Sequence, residues 1–374
     1  MPNLFLFGTL CHPPLLEIVF GRPVEARPAT LTDHAVVTLP DRAVPATALR
    51  AVPGEQAPGV FLRDLPNEDL ARLEYYLGGF DNGLREMTVS VEGTSRSAMV
   101  ACRKATPEHG DGPFDPEAWA RGWAVLACQA AREIMAQFGS TDLETMNQLR
   151  PFVTSRAWAQ QLAQDGAPHE LRSDRGLDTV EIVRERPGFE GFFRLRAFDL
   201  RHRRFDGTMS ETISREGFIA YDAALVLPYD PATDRVLLIE QLRYGPVLRG
   251  DPFPLVLEPA AGLIDSGETP ETCALREAEE EAGLKLRELR PMVKIYASPG
   301  YTTEFFHCFL GLCDLSEDDN GLAGLDEEHE DIRNHVISFD RAMELIDSGE
   351  INVGPLVMML FWLARHREEL RRNA

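Results

Sequence analysis

The chain has 374 residues, of which 44% are hydrophobic and 26% are charged, a composition typical of globular proteins. This length favours two domains over a single hydrophobic core. The formal net charge of −22 would repel phosphate backbones and anionic lipids, which argues against nucleic-acid and membrane binding. The net charge does not exclude a small phosphorylated substrate, because bound metal ions can reverse the charge within a site.

The cysteines and the apolar runs bear on where the protein works. The six cysteines are scattered, with no CxxC pair and no zinc-site spacing, which favours reduced thiols. The N-terminal run MPNLFLFGTL lacks the basic region of a signal peptide. The run LVMMLFWLA is far shorter than the roughly 20 residues that a membrane-spanning helix needs. We therefore expect a cytoplasmic protein without a membrane segment.

The first part of the chain, residues 1–165, has the pattern of an α+β domain. Short β-rich runs between Leu4 and Val100 are broken by Pro/Gly clusters and by one helical segment, NEDLARLEYYL. Two helices, predicted at Pro116–Phe138 and Leu143–Leu162, close this domain. The polar, Gly- and Pro-containing stretch that follows predicts a linker at residues 166–177.

The remainder, residues 178–374, begins with strand-like runs such as GFFRLRAFDLRHRRF, DAALVLPYD and DRVLLIEQLR. An acidic helix follows, predicted at Pro270–Ala282, with Thr269 as its N-cap and Gly283 as its left-handed stop. The sequence contains no apparent internal repeat, which argues against a solenoid. The pattern therefore predicts a fusion of two unlike domains.

Glutamates crowd on this acidic helix, although like charges there repel. Glu277 and Glu281 lie one turn apart and Glu280 flanks them, and such a pair costs roughly 0.2–0.5 kcal/mol in an isolated helix. Alanines at every fourth position on the adjacent stripe predict close packing on a sheet. Stacked carboxylates, with a carbonyl from the turn Ala260–Gly262, suit Mg²⁺ or alternatively Mn²⁺. The glutamates alone leave a solvated acidic face as the alternative.

The spacing of this segment resembles the Nudix box, G-x5-E-x7-R-E-U-x-E-E-x-G-U, where U is aliphatic. The fixed places are filled by Gly262, Glu268, Arg276, Glu277, Ala278, Glu280, Glu281, Gly283 and Leu284. The likeness covers 178–374 and implies a Nudix α/β/α sandwich that hydrolyses a nucleoside diphosphate linked to another group. It implies that Glu277, Glu280, Glu281 and the carbonyl of Ala261 bind the metal, while the other box residues are structural.

Segments outside the box resemble the ADP-ribose pyrophosphatase subfamily. SPGYTTE places Pro299 beyond Gly283 at the spacing of that subfamily's marker, and EGFFRLRAFDLRHRRFDGTMS, ISREGF and VLLIEQLRY are also similar. An aromatic face suits a purine, and a guanidinium offers forked donors to phosphate. The likeness implies a substrate-binding set that runs from the adenine end to the pyrophosphate: Phe192, Arg215, Glu216, Arg243, Pro299 and Glu304.

A second acidic cluster, DEEHED, spans Asp326–Asp331. By the same likeness, one glutamate of this loop activates the attacking water and another completes the metal site. By position these are Glu328, as general base, and Glu330, as metal ligand, with Glu327 or Glu330 as the alternative general base. From the residues alone, a solvated loop is the other interpretation.

The resemblance implies a reaction and an assembly. About two or three Mg²⁺ ions would neutralise the phosphates and lower the pKa of the attacking water, giving AMP and ribose 5-phosphate from ADP-ribose. Another nucleoside diphosphate sugar, a dinucleotide, or nucleotide sensing without turnover are the alternatives. Because GFFRLRAFDLRHRRF is similar to strands that pair subunits in such enzymes, we expect a homodimer.

The first domain resembles the γ-glutamylcyclotransferase-like (AIG2-like) family over residues 2–103. LFLFGTL and GVFLRDLPNEDLARLEYYLGGF carry this likeness, which implies a β-barrel within an α+β fold. It also implies that Gly8, Thr9 and Leu10 hold a substrate carboxylate through their backbone and that Glu74 is an acid/base.

Two residues depart from that family's pattern: Phe7 stands in place of the commoner Tyr, and Ala71 in place of an expected Asp. These departures leave an interaction or assembly role as the alternative to cyclotransferase activity. The two-domain layout resembles that of fusion proteins that are associated with tellurite resistance. This is a phenotype and specifies no reaction.

Overall fold

A computed structural model describes residues 1–39, 44–80, 83–101, 112–167, 170–173, 175–325 and 330–372. The chain divides into two compact units, Met1–Gly166 and Ala167–Ala374, at the start of the predicted linker. In these residues the helices are α1 (Pro13–Phe20), α2 (Asn67–Leu77), α3 (Pro116–Gly122), α4 (Ala124–Ala136), α5 (Leu143–Leu162), α6 (Tyr244–Arg249), α7 (Pro270–Glu280), α8 (Phe339–Ser348) and α9 (Gly354–Arg372). The strands are β1 (Leu4–Phe7), β2 (Ala26–Leu39), β3 (Ala46–Leu62), β4 (Leu84–Val91), β5 (Thr94–Ala101), β6 (Val180–Glu190), β7 (Arg194–His202), β8 (Ile213–Ile219), β9 (Asp222–Asp230), β10 (Arg235–Leu242), β11 (Leu255–Glu258), β12 (Ala260–Leu263), β13 (Glu288–Tyr296), β14 (Phe305–Leu312), β15 (Gly321–Ala323) and β16 (Ile332–Ser338).

The first unit is built on a closed barrel with strand order β1-β3-β2-β4-β5. β1 runs antiparallel to β3 and parallel to β5, and this second pairing closes the barrel. Side chains of a strand alternate between its faces, so Phe5 packs inside the barrel while Leu4 and Leu6 pack with the helices. The predicted β-barrel within an α+β unit is confirmed.

The helices that close the first unit differ in one respect from the prediction. The segment expected as one helix from Pro116 to Phe138 forms α3 and α4, which are separated at Trp123. Asp115 caps α3 through the amides of Glu117 and Ala118. Gly122 has poor helix propensity, which explains why the continuous helix was wrong.

The second unit contains a mixed sheet with strand order β13-β14-β9-β10-β16-β15. β9 and β10 pair at their shared turn only, through Asp230 with Arg235 and Tyr229 with Val236. Further along, β12 pairs with β9 and β11 pairs with β10, so the sheet opens between them. Helix α7 packs on β9 and β12 beside this opening.

Helices cover both faces of this sheet. Leu238 of β10 packs with α8 and α9, whereas its neighbours Leu237 and Ile239 pack with Ala282 and Leu284, which follow α7. This alternation along one strand confirms the α/β/α sandwich. In the described part of the chain, no helix is long and apolar enough to cross a membrane.

A separate three-stranded sheet, β6-β7-β8, precedes the sandwich. Its edge strand β8 is fixed to the loop before β14: Phe218 N donates to Tyr301 O at 2.7 Å, and Thr303 N donates to Phe218 O at 3.0 Å. The five cysteines within the described residues are free, in keeping with the expected reduced thiols.

Candidate active site

Helix α7 is positioned by the capping residues that the sequence predicts. Thr269 Oγ1 accepts a hydrogen bond from Thr272 N at 3.1 Å. Gly283 adopts φ +67°, the left-handed conformation that glycine tolerates best, and its amide donates to Glu279 O at 3.1 Å. The regular helix ends at Glu280, two residues before the predicted Ala282.

The carboxylates of α7 are divided between the interior and the surface. Glu277 and Glu281 are only 7% and 2% exposed, Glu280 is half-buried, and Glu279 is exposed. A Cβ atom at Gly262 would lie 1.7 Å from Glu277 Oε1, so this position accepts no side chain while Glu277 keeps its place. The glycine therefore provides the space for one of the buried carboxylates.

Arg276 binds three glutamates of the box. Its Nε donates to Glu268 Oε1 at 3.1 Å, and its Nη1 donates to Glu277 Oε1 at 2.5 Å and to Glu280 Oε2 at 2.8 Å. Glu268 Oε2 in turn accepts from Asp265 N at 3.2 Å. The forked guanidinium thus joins the loop before α7 to the helix itself.

The buried carboxylates lie in an environment that disfavours their charge. Burial raises the pKa of Glu277 to about 7, against the opposing effect of Arg276, and the charges of Glu280 and Glu330 raise it further. Burial also raises the pKa of Glu281 well above its usual value, although Ala261 N donates to its Oε2 at 2.6 Å. A nearby cation would reverse this penalty.

The donor set fits a divalent metal ion in its chemistry. The side chains offer oxygen ligands, which Mg²⁺ and Mn²⁺ prefer. They are neighbouring carboxylates that repel one another, and a bound cation would relieve this repulsion. Within the described residues, however, no three His, Cys, Asp or Glu side chains converge closely enough to hold an ion as they stand. Arg276 already engages oxygens of Glu277 and Glu280, so metal binding would require these side chains to readjust.

Arg243 and Glu304 lie close to this acidic group. The charge of Arg243 opposes the burial that raises the pKa of both Glu281 and Glu304. Its Nε donates to Glu258 Oε2 at 2.6 Å. Pro299 lies in an exposed turn closed by Tyr301 N donating to Ser298 O at 3.2 Å.

The loop before β16 contributes Glu330, which is half-buried and accepts a hydrogen bond from Leu325 N at 3.1 Å. Its charge raises the pKa of both buried carboxylates of α7, so it belongs to the same acidic group. Glu328 and its alternative Glu327 lie outside the described residues.

Three predicted substrate-binding residues lie on the separate three-stranded sheet. Phe192, between β6 and β7, packs against Phe193 and Tyr221 with ring centroids 4.7 and 5.3 Å away. Arg215 and Glu216 are exposed on β8. In the described part of the chain, no hydrogen bond or ion pair joins Arg215 or Glu216 to the carboxylates of α7.

Glu258 is a site residue that sequence reasoning missed. It lies on β11, binds Arg243, and has a pKa raised by burial against the effect of that arginine. The available signal was an acidic residue at the end of the apolar strand LVLE. Asp222 and His307 form another unpredicted buried pair, with 2.8 Å between Oδ2 and Nε2, on the parallel strands β9 and β14.

In the first unit, the predicted loop borders a cavity, but the predicted acid does not. Gly8 adopts φ +63°, and a Cβ atom there would lie 2.0 Å from Thr47 Oγ1. Thr9 and Leu10 help to line a cavity of about 560 Å³, whereas Glu74 is absent from its lining and exposed. On α2, Leu73 and Tyr75 point inward, so helical phase turns Glu74 toward solvent. Glu74 therefore faces solvent and does not line the cavity beside the loop, the position that an acid/base there would need.

Comparison with known families and proteins agrees with this geometry. A model of the NUDIX domain matches residues 221–356, and a model of the γ-glutamyl cyclotransferase, AIG2-like family matches residues 4–121. ADP-ribose pyrophosphatase of Escherichia coli (strain K12) is 39% identical over 206 residues, which cover 55% of this chain and 98% of that protein. GDP-mannose pyrophosphatase of Salmonella paratyphi B is 31% identical over 187 residues, covering 50% of this chain and 95% of that protein.

A solved structure, described as an ADP compounds hydrolase, matches 53% of this chain and 100% of its own, at 21% identity and a TM-score of 0.42. The family assignment depends on the box residues around α7 and on the near-complete coverage of the curated relatives. The chain belongs to the Nudix hydrolase family through its second unit, and its first unit is an AIG2-like γ-glutamyl cyclotransferase domain.

Proposed function

We propose that the second unit hydrolyses the pyrophosphate of ADP-ribose to AMP and ribose 5-phosphate with Mg²⁺. The observation that carries this proposal is the pair of buried carboxylates, Glu277 and Glu281, against the Ala261-Gly262 backbone with Arg243 nearby. The similarity to ADP-ribose pyrophosphatases supports the choice of substrate.

In this mechanism Glu277, Glu280, Glu281 and Glu330 would hold Mg²⁺ together with the carbonyl of Ala261. When bound, the ion neutralises phosphate oxygens and lowers the pKa of a water molecule. The backbone amide of Ala261 fixes one oxygen of Glu281, Oε2, through a hydrogen bond of 2.6 Å.

The remaining side chains orient the substrate and accept the proton of the attacking water. Arg243 donates to the pyrophosphate, since a guanidinium matches phosphate oxygens. Pro299 and Glu304 lie at the end of the site that distinguishes substrates. Phe192, Arg215 and Glu216 bind the adenosine. A glutamate of the loop before β16, by position Glu328, takes the proton of the attacking water.

We further propose that two copies associate through the three-stranded sheet. This sheet exposes several large apolar side chains, and β6 is exposed along almost all of its length. Exposed apolar groups of this kind favour association. The exposed side chains that support this proposal are Val180, Ile182, Val183, Phe189 and Phe218.

We propose no cyclotransferase reaction with Glu74 as the acid/base of the first unit. Closure of a γ-glutamyl group requires an acid/base within reach of the reacting amine. The exposed Glu74 lacks that position.

Product analysis separates the candidate substrates. We expect the purified chain with Mg²⁺ to convert ADP-ribose to AMP and ribose 5-phosphate, measured by anion-exchange chromatography. GDP-mannose and a dinucleotide are tested in parallel, because a GDP-mannose pyrophosphatase is also related. Faster cleavage of either would overturn the ADP-ribose assignment. Nucleotide binding without turnover in Mg²⁺ or Mn²⁺ would overturn catalysis itself.

A further inference from the structure

Arg243 directly follows β10 and precedes α6. Its backbone N donates to Pro254 O at 3.3 Å, which extends the pairing of β10 with β11 by one residue. The Arg243 side chain is 44% exposed, and a long side chain with that much contact to water has many rotamers available. A phosphate-binding arginine in this position therefore needs a partner that holds its guanidinium in one orientation.

Glu258, at the end of β11, supplies that partner. Glu258 Oε2 accepts a hydrogen bond from Arg243 Nε at 2.6 Å, and the Glu258 side chain is only 14% exposed. In the pairing of the two strands Glu258 lies opposite Ile239, four residues before Arg243. Ile239 in turn packs with Ala282, which follows α7. The contact thus holds the guanidinium on the side of the strand pair where the α7 carboxylates lie.

The same contact leaves the other guanidinium nitrogens available. Among the described residues, Nη1 and Nη2 of Arg243 donate no hydrogen bond, in contrast to Arg276, whose Nε, Nη1 and Nη2 all donate to protein atoms. The charge of Arg243 acts on both Glu281 and Glu304, so the guanidinium lies beside the acidic group. Its free nitrogens offer the forked donors that match phosphate oxygens.

Stability does not account for the position of Glu258. Ion pairs with an exposed partner contribute little to the stability of a fold. Burial raises the pKa of Glu258 above its usual value, although the charge and hydrogen bond of Arg243 oppose this effect. The protein thus keeps a carboxylate where its charge is disfavoured, an arrangement that is common at functional sites.

We infer that Glu258 is a positioning residue, which fixes Arg243 with Nη1 and Nη2 directed at the pyrophosphate. Glu258 does not itself contact the substrate and acts only through the arginine. The inference rests on the function proposed for the second unit, since that function assigns Arg243 to the pyrophosphate. It adds the residue that preorganises this donor before the substrate arrives.

A double-mutant cycle on the full-length chain tests the coupling between Glu258 and Arg243. Isothermal titration with α,β-methylene-ADP in Mg²⁺, a probe whose pyrophosphate analogue resists hydrolysis, measures binding without turnover. We expect Glu258→Ala and Arg243→Ala each to weaken binding roughly 10-fold or more, as for lost supporting partners of a site. The double variant should bind no more weakly than Arg243→Ala, because coupled residues are not additive. Full additivity, unchanged binding in Glu258→Ala, or a wild type that does not bind the probe would overturn the inference.

Two further variants show how Glu258 acts. Glu258→Gln keeps an oxygen that accepts from Arg243 Nε–H, so it should recover most of the affinity lost in Glu258→Ala. Equal losses in these two variants would contradict positioning through this hydrogen bond. Glu317→Ala is the matched control, since it removes a partner 2.6 Å from Arg235 Nη1 at the other end of β10, and it should bind the probe like the wild type. Circular dichroism verifies the fold of each variant.

Turnover in the same proteins separates this inference from the proposed function. Coupled losses of binding in a wild type that hydrolyses no pyrophosphate substrate would support the role of Glu258 and refute the proposed hydrolysis. Turnover by the wild type together with additive losses of binding would refute the role of Glu258 and leave the hydrolysis standing.

Discussion

Two groups of buried acidic residues in the second unit have opposite electrostatic environments. At the turn between β9 and β10, hydrogen bonds and arginines outweigh burial and hold the pKa of Asp230 and Asp234 below the usual range. On α7, burial outweighs the partners of Glu277 and Glu281, and their pKa values are raised. Asp230 is as buried as the carboxylates of α7 and Asp234 is half-buried, so burial alone does not explain the difference.

The number of hydrogen-bond and ion-pair partners explains the difference in pKa between the two groups. Asp230 accepts from Ala232 N at 2.8 Å, from Thr233 Oγ1 at 2.7 Å and from Leu315 N at 3.2 Å. Asp234 binds Arg367 and accepts from Tyr229 Oη at 2.8 Å. On α7, by contrast, Glu277 and Glu280 share Arg276, Glu281 accepts from Ala261 N, and the charge of Glu277 raises the pKa of Glu281. The first group has the partners of a stabilising site, whereas we propose that the second is arranged for a ligand that brings positive charge.

The largest effect should follow from neutralising one carboxylate of α7. We expect Glu281→Gln to lower kcat for ADP-ribose by about 100-fold or more, because loss of several kcal/mol of metal-mediated stabilisation corresponds to at least two factors of ten. Its metal-free melting temperature should be equal or higher, since one repelling charge is removed while the bond to Ala261 N is kept. The exposed Glu279→Gln is the matched control, and full activity of Glu281→Gln would reject the ligand assignment.

A second change tests the space that Gly262 provides. In Gly262→Ala the new Cβ would overlap Glu277 Oε1, which forces this carboxylate to move. We expect kcat to fall by roughly 10- to 100-fold, as for displaced metal-site partners. Gly354→Ala, where a Cβ atom meets nothing within 4 Å, should leave activity unchanged. Similar kinetics for the two variants would show that Glu277 is not needed where it lies.

Asp234→Asn should lower stability without lowering activity, the opposite of the result expected for Glu281→Gln. Asp234 has φ +61°, which Asn tolerates, so the change removes charge with little backbone strain. We expect about 1.5–3 kcal/mol of destabilisation in urea unfolding at pH 7. Asp340, an exposed partner of the same Arg367, provides the control: Asp340→Asn should cost less than about 1 kcal/mol. Lost turnover in folded Asp234→Asn would contradict the division between the two groups.

The stabilising effect of Asp234 should also depend on pH. Because the folded protein holds the pKa of Asp234 below its unfolded value of about 3.9, this carboxylate contributes fully above that value. Its contribution is lost as the pH falls through the lower, folded pKa. The stability difference between wild type and Asp234→Asn should therefore be constant from pH 7 to about pH 5 and shrink below about pH 4. A difference that grows on acidification would show the opposite sign of linkage.

The smallest effect on chemistry should come from the three-stranded sheet. Light scattering should give twice the chain mass of 41.8 kDa for the wild type. Ile182→Asp on exposed β6 should shift the protein toward the monomer, whereas Val125→Asp, at a more exposed site in the first unit, should not. A monomeric wild type at micromolar concentration would reject the dimer.

Local patterns in the sequence predicted the position and the ends of α7. The cap at Thr269 and the stop at Gly283 follow from spacing within one helix, and the helix is correct to within two residues. The burial of Glu277 and Glu281 depends on how the helix packs on the sheet, and the glutamates alone also allowed a solvated face. Asp222 and His307 are 85 residues apart and meet only because β9 and β14 pair in parallel, so no local pattern could reveal them. Glu74 illustrates the reverse case: apart from Ala71, its segment resembles the family's pattern, yet the helical phase fixed by the buried Leu73 and Tyr75 turns Glu74 outward.

The most direct measurement is a melting curve of the metal-free protein at increasing Mg²⁺ concentration, in wild type, Glu281→Gln and Glu279→Gln. Ligands that bind only the folded state stabilise it by about 2.7 kcal/mol at 100 times their dissociation constant. We predict that the melting temperatures of wild type and Glu279→Gln rise together with Mg²⁺ while that of Glu281→Gln stays flat. An equal rise in all three proteins would contradict the assignment of the α7 carboxylates as the metal site.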